Sequence, residues 1–209
     1  QTISGVGFHT IEPKTQRDAL TLGFEKYFGE SWSDDVRFKN EEKTGYRIFG
    51  RGSNGQEFLT EPINSTTRQA EATVAYTGAQ LQLSGGYYGT WFENRNEWLS
   101  SFGGLNSSTT SIGSNFQTIG LPPDNSSHQI SLTGGYSFTP TTRATFQVAS
   151  ARARQSDSFP GGFLASAAVP TTVPLAPGAP GNLDGRIDTT QWQLGLSTQP
   201  IDKLHVRAD

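Results

Sequence analysis

The chain alternates apolar and polar residues in paired runs, and each pair is joined by a tight turn and followed by a long polar loop. In the clearest pair, which begins at Thr67, apolar side chains occupy even positions from Ala70 to Tyr76, and after the turn they occupy odd positions from Leu81 to Trp91. Successive strand residues point to opposite faces, so both strands present their apolar side chains on one side. The pattern predicts a hairpin with one apolar and one polar face.

Three further hairpins follow the same scheme, with turns predicted at 29–31, 139–142 and 199–202, and long loops predicted at 45–64, 93–127 and 156–185. Strands of roughly 9 to 11 residues, with short turns at one end and long loops at the other, are typical of a transmembrane β-barrel. We therefore predict an all-β, antiparallel transmembrane barrel wall with short periplasmic turns and long extracellular loops. It would supply about eight strands of a larger barrel.

The composition fits a barrel wall better than a soluble domain. The 209 residues are 33% hydrophobic and their mean hydropathy is -0.50, which is lean for a soluble core of this size. No segment is apolar enough for a membrane helix, and the net charge of -3 argues against a nucleic-acid partner. Because cysteine is absent, disulfides, thiolate metal sites and covalent heme attachment are excluded within the chain.

The ends of the chain predict a piece of a longer protein. There is no methionine and no signal peptide at Gln1, and the alternation from Leu204 to Asp209 stops before a strand would end. We expect residues 1–209 to be an internal segment of one barrel domain in the bacterial outer membrane.

Aromatic residues are expected to form two interfacial girdles, one near the short turns and one near the long loops. The first set contains Phe24, Tyr27, Trp32, Tyr76, Tyr136 and Phe138, and the second contains Tyr87, Trp91, Phe92 and Trp192. The alternative is the ordinary enrichment of aromatic residues in strands.

If the apolar side chains face lipid, the opposite positions line the lumen, and most of these are small or uncharged. A wall of this kind favours a lumen filled by a bulky object over an ion channel, which would carry rings of charge. The alternative is that such residues simply suit a curved sheet. The candidate lumen-facing contacts are Gln69, Glu71, Thr73, Gln82, Ser84, Gly86, Ser131, Thr133, Gly135, Thr145, Gln147, Gln191 and Gln193.

No catalytic, cofactor-binding or metal-binding site is predicted, and we expect no enzymatic activity. The three histidines, His9, His128 and His205, lack metal-ligand spacing. His128 and Ser131 are three residues apart on a strand, so they point to opposite faces and cannot form a nucleophile and base pair readily. The acidic turn at 182–188 lacks the ligand density of a calcium site.

Three segments carry a resemblance to a known family: Thr67 to Asn94, Pro123 to Val148, and Leu183 to Leu204, with sequences such as Gly-Ala-Gln-Leu-Gln-Leu-Ser-Gly-Gly-Tyr-Tyr and Leu-Asp-Gly-Arg-Ile-Asp-Thr-Thr. These segments look like the MtrB/PioB family of decaheme-associated outer-membrane barrels. The resemblance also includes Lys14 to Asp18 and Glu41 to Gly45, and it covers about a third of a barrel of roughly 26 strands.

The resemblance implies a sheath that houses and insulates a periplasmic multiheme c-type cytochrome, so that electrons cross the outer membrane without contacting lipid. Heme would be carried by that partner and not by this chain. Some members have a Cys-x-x-Cys near their N-terminus, which this segment does not contain. The loops 93–127 and 156–185 have two interpretations: docking of an extracellular multiheme cytochrome, or covering of the rim.

Two other functions stay open at this point. One is an outer-membrane porin or transporter with an open lumen, which single-channel conductance would distinguish from a filled barrel. The other is a secreted β-rich carbohydrate-binding protein in which Tyr88 and Trp91 stack on sugars, which would fractionate without detergent.

Overall fold

The computed structural model describes residues 12–51, 57–102, 116–159, 162–163, 172–173, 180–201 and 204–208. Every regular element among these residues is a strand. The described residues include no helix that could cross a membrane. The strands are β1 (Thr15–Phe28), β2 (Trp32–Arg51), β3 (Glu57–Thr77), β4 (Leu81–Asn94), β5 (Trp98–Phe102), β6 (Phe116–Gly120), β7 (Asn125–Thr139), β8 (Thr142–Gln155), β9 (Gly162–Phe163), β10 (Thr172–Val173), β11 (Gly185–Ile201) and β12 (Leu204–Ala208).

Eight of the strands form one antiparallel sheet in the order β1-β2-β3-β4-β7-β8-β11-β12. Sequential strands are neighbours throughout, as in an up-and-down barrel wall. The two remaining pairs, β5 with β6 and β9 with β10, lie within the connections on the long-loop side. The prediction of an eight-stranded antiparallel wall with short turns on one side is therefore confirmed, and the sheet is an open segment of a barrel.

The pairing register places most large apolar side chains of the eight strands on one face. A single row across seven of the strands runs from Phe28 through Trp32, Tyr76 and Leu83, crosses β7 and β8, and ends at Leu194 in β11. Residues directly opposite each other in antiparallel strands share a face. The predicted sidedness of the hairpins is therefore a property of the whole sheet.

The sheet has no apolar interior among the described residues. Ala149, at 9% exposure, is their one buried apolar residue, whereas Leu132 and Leu194 are 46% and 60% exposed. A single sheet of this size would be unstable in water with such a face uncovered, because large exposed apolar patches are rare on soluble monomers. The apolar face must therefore be covered by apolar surroundings other than the chain itself.

The apolar band drifts along the strands from one edge of the sheet to the other. A row perpendicular to the strands leaves β1 at Leu20, inside the band, and reaches β8 at Arg154 and β11 at Arg186, beyond the band on the long-loop side. In a barrel the strands are tilted against the barrel axis, so a band that is level with the membrane must cross the rows obliquely. The drift is the expected trace of that tilt.

The predicted loop at 45–64 is wrong. The strands β2 and β3 pair continuously to Arg51↔Glu57, so most of this segment is a hairpin that extends beyond the start of β1. In the fourth hairpin, residues 199–201 belong to β11, with a register shift between Thr198 and Ile201, so the predicted turn is wrong at these three residues. The loop at 93–127 contains the β5–β6 hairpin.

Gly45 occupies a position in β2 that favours glycine. Its φ is +128°, and a Cβ atom there would clash with the carbonyl oxygen of Lys14. We expect Gly45→Ala to destabilise the fold by about 1–3 kcal/mol, because the substitution adds backbone strain and a backbone clash. Urea titration of the refolded full-length protein should show the loss. Gly23→Ala is the matched control, since its added Cβ would have only ordinary contact with Arg37. Equal stability of both variants would contradict the prediction.

The extended part of the β2–β3 hairpin is held by an ion pair between Arg47 and Glu61. Both guanidinium nitrogens Nε and Nη2 donate to the Glu61 carboxylate, which is only 4% exposed, and these hydrogen bonds raise the pKa of Arg47 above its ordinary value. Bidentate pairs of this kind are the strong ones.

Removing the arginine should open this hairpin locally. We expect Arg47→Gln to cost about 1–3 kcal/mol, because a buried carboxylate loses its partner, and amide exchange of residues 43–49 and 59–65 should accelerate accordingly. Arg37→Gln is the control, because its partner Asp35 is 28% exposed and water can replace the lost contact. The prediction fails if the two variants exchange alike.

Candidate functional site

The candidate site is the polar face of the sheet. Register places all thirteen predicted lumen-facing residues on this face. Gln69, Glu71, Thr73, Gln82, Ser84, Gly86, Ser131, Thr133, Gly135, Thr145, Gln147, Gln191 and Gln193 all lie opposite the apolar band. Their contact with a partner stays a prediction, whereas their common orientation follows from the pairing.

Four adjacent strands, β4, β7, β8 and β11, form a nearly uncharged part of this face, which we call the neutral tract. Between Leu81 and Ile201 their polar-face positions contain one charged side chain, Arg143, which donates to Gln82 at 2.5 Å. Most residues of the tract are glycine, alanine, serine, threonine and glutamine, and its large side chains other than Arg143 are Tyr88, Phe92 and Ile187 toward the long loops. A shallow recess of about 420 Å³ lies over it, near the short turns.

Glycine brings the backbone close to the surface in the neutral tract. A Cβ atom on Gly86 would approach the hydroxyls of Ser131 and Thr73 at 3.3 and 3.6 Å, whereas Gly135 lies beneath the Arg143 guanidinium. The hydroxyl of Thr133 donates to the backbone carbonyl of Ser84 at 3.4 Å. Around these glycines, the surface therefore offers hydrogen-bonding groups on short side chains that project little above the backbone.

The other part of the polar face, on β1, β2 and β3, is charged, and the sequence analysis missed most of it. The β2 residues face this side because Lys39 pairs with Gln69. Alternation along β2 locates them, because Trp32, Val36 and Phe38 have the apolar parity and the odd-numbered residues have the other. Outside the extended part of the β2–β3 hairpin, four basic and four acidic side chains balance: Arg17, Arg37, Lys39 and Lys43 against Glu25, Asp35, Glu41 and Glu71.

These charges are largely paired with each other. Lys39 lies 2.8 Å from Glu41, which also lies 3.5 Å from Arg17, and Arg37 lies 3.1 Å from Asp35. Such exposed pairs contribute little to stability individually. Their effect is to give the charged part a mixed surface without a strong net field.

Most predicted girdle aromatics lie on the apolar face, but two do not. Near the short turns, the rings of Trp32 and Tyr76 are 5.0 Å apart, and those of Tyr136 and Phe138 are 4.9 Å apart. The predictions for Tyr27 and Phe92 are wrong, because Tyr27 pairs with Ser33 and Phe92 pairs with Thr67 and Asn125 on the polar face. In each case the residue has the parity of the lumen positions.

The structure excludes a nucleophile and base pair formed by Ser131 and His128. His128 lies on the apolar face opposite Gly89 and Arg152, whereas Ser131 lies on the polar face opposite Gly86, so the two cannot act together. Within the described part of the chain, no three histidine or acidic residues are grouped as metal ligands. His9 lies outside the described residues.

Comparison with known proteins identifies the family. Residues 7–209 match the outer membrane beta-barrel porin family MtrB/PioB. Outer membrane protein MtrB of Shewanella baltica (strain OS185) is 35% identical over 130 residues, which are 61% of this chain and 18% of that protein. The chain therefore spans a minor part of this curated relative.

One solved structure is similar at the level of strand arrangement only. The open form of Fiu, the ferric-catecholate import receptor of E. coli K12, has a TM-score of 0.43 and 12% identity, over 92% of this chain and 34% of that protein. The similarity is too low to support any functional comparison.

The family and the sheet agree on the location of the protein. An outer-membrane barrel presents its apolar face to lipid and its polar face to the lumen. The exposed apolar band of the sheet is therefore covered by membrane lipid, and the interpretation as a soluble carbohydrate-binding protein is wrong. The match over nearly the whole chain and the single two-faced sheet lead to one conclusion: the chain belongs to the MtrB/PioB family of outer-membrane β-barrel proteins.

Proposed function

We propose that the full-length protein is a sheath that holds a periplasmic multiheme c-type cytochrome in its lumen and insulates it from lipid. The observation that supports this most is the neutral tract, in which four adjacent strands present Arg143 as their one charged polar-face residue. The chain itself would bind no heme and catalyse no reaction.

Short uncharged side chains suit a wall that contacts a folded protein. Bringing a charge out of water against a partner costs several kcal/mol unless it is paired, whereas hydroxyl and amide groups can exchange hydrogen bonds with the partner or with interfacial water. The absence of a side chain at Gly86 lets another backbone approach closely. The wall would replace hydrocarbon by a polar surface around the electron carrier.

The competing function is a porin with an open lumen. It is favoured by the charged part of the polar face, where Arg17, Lys39 and Glu41 could form a segment of a charged constriction. The description of the family as porins favours it as well. The neutral tract weighs against it, because it gives the larger part of the segment no ionic selectivity.

Co-purification and conductance distinguish the two functions. The full-length protein, extracted from its own outer membrane in mild detergent, is expected to carry heme absorbance and a multiheme cytochrome, and to conduct ions poorly in a planar bilayer while the cytochrome is bound. Heme-free protein that forms a large open channel would exclude the sheath and support the porin.

A further inference from the structure

Basic side chains collect on the lipid-facing side of the sheet, just beyond the apolar band. His128, Arg152 and Asp188 form one row across β7, β8 and β11, and Arg154 and Arg186 lie in the next row toward the long loops. These rows share the face of Leu132, Val148 and Trp192. The cluster therefore points outward from the barrel wall, away from any lumen content.

Two of the three guanidinium groups in this cluster share one carboxylate. Arg152 Nε lies 2.6 Å from Asp188 Oδ1, and Arg186 Nε donates to Oδ2 of the same residue. Arg154 is exposed, and no carboxylate of a described residue lies within ion-pair distance of it. The cluster keeps an uncompensated positive charge with exposed N–H donors.

Aromatic residues form the adjoining side of the cluster. The hydroxyl of Tyr87 and Nδ1 of His128 are 2.8 Å apart, and the ring of Trp91 meets the His128 ring edge-on at 5.3 Å. A recess of about 470 Å³ lies between Tyr87, His128, Arg152 and Arg154. Tyrosine and tryptophan at this level are typical of the membrane interface.

The rest of the same rim does not repeat the arrangement. On the lipid-facing side of β1 and β2, Asp18 lies opposite Glu42 in the strand register, so this part of the rim is acidic. On β3 and β4, Arg68 forms an ion pair with Glu93. The excess of basic charge is therefore local to β7, β8 and β11. A local excess indicates a particular ligand and not general attraction to a surface.

We propose that this cluster binds the phosphate groups of a phosphorylated glycolipid in the outer leaflet of the outer membrane. The long-loop side of the band is the extracellular side, so the cluster lies at the headgroup level of that leaflet. Guanidinium groups bind phosphate oxygens through paired hydrogen bonds. The recess accepts the headgroup while the acyl chains continue along the apolar band. The inference depends on the outer-membrane location of the family and not on the content of the lumen.

The test uses full-length protein in detergent micelles, titrated with lipid A that carries both phosphates and with lipid A from which the phosphates were removed. The unmodified protein is expected to prefer the phosphorylated form by about tenfold. The triple variant Arg152→Gln, Arg154→Gln, Arg186→Gln should lose this preference. Arg154→Gln alone, which breaks no ion pair, should reduce the preference for phosphorylated lipid A by about threefold. Heat-modified mobility in gels should show that the barrel of each variant is still folded.

The matched control removes the same charge from the opposite face, with Arg17→Gln, Arg37→Gln and Arg143→Gln. It should bind phosphorylated lipid A like the unmodified protein. The proposal is overturned if the outward variants keep the preference, if the inward variant loses it equally, or if both lipids bind alike. Competition by inorganic phosphate at the concentration of the lipid would show a free-anion site and would also overturn it.

Discussion

Arginine at both Leu132 and Leu194 is expected to abolish recovery of the folded protein from the outer membrane. Both residues lie in the middle of the apolar band and are about half exposed on the lipid-facing side. An arginine near the bilayer midplane of a barrel costs about 2–4 kcal/mol, so the pair costs about 4–8 kcal/mol, comparable with the whole stability of many proteins. Membrane fractionation and heat-modified gel mobility measure the loss.

The matched control places the same two charges one residue away, on the other face. Thr133→Arg and Gln193→Arg change the neighbouring positions of the same strands, and both residues lie opposite Gln147 on the polar face. This variant should insert at close to the normal level, because water or polar groups solvate the new charges. If the polar-face pair fails and the lipid-face pair inserts, the two faces have been assigned the wrong way round.

The sequence carried enough information for the faces and the hairpins, because period-two alternation is local. Once Ala70 and Tyr76 share a face in β3 and Leu81 and Leu83 share one in β4, the tight turn between them determines which strands are neighbours. The tilt of the sheet is only implicit in the sequence. It becomes visible when register shows that Leu20 and Arg186 belong to one row.

The extension of β2 and β3 could not be predicted from local pattern. Asn40, Glu42 and Thr44 interrupt the apolar alternation of β2, and the following glycine and asparagine residues indicate a loop. The strands nevertheless continue, because backbone pairing over twenty positions and the Arg47–Glu61 ion pair act across the hairpin. These contacts are non-local, so no window along one strand reveals them.

The orientation of the candidate site could be predicted from the sequence, but the prediction did not include all of its residues. All thirteen predicted residues share the polar face because parity alone places them there. The charged part of that face was missed on β2, because the predicted lumen-facing residues came from β3, β4, β7, β8 and β11 and none came from β2. Tyr27 and Phe92 were misplaced for the opposite reason, since their aromatic character was given more weight than their parity.

Tryptophan at Gly86 is expected to reduce the cytochrome bound per barrel by about tenfold. Gly86 lies in the neutral tract, with Ser131 and Thr73 as its cross-strand neighbours. An indole there projects into the space that the sheath proposal assigns to the partner, and forcing extra volume into a packed interface costs about 1–3 kcal/mol, which corresponds to roughly tenfold in affinity. The heme-to-protein ratio after detergent extraction measures the effect.

The adjacent glycine supplies the control, because it faces lipid. Gly85 pairs with Val74 and Leu132 in the apolar band, and its nearest atom to an added Cβ is Leu132 Cδ1 at 3.9 Å. Gly85→Trp therefore adds the same side chain where acyl chains accommodate it, and the heme ratio should stay unchanged. Equal heme content in both variants would mean that the tract does not contact the cytochrome. A fall in ion conductance for Gly86→Trp in heme-free barrels would instead support the open porin, since the indole would then narrow a water-filled lumen.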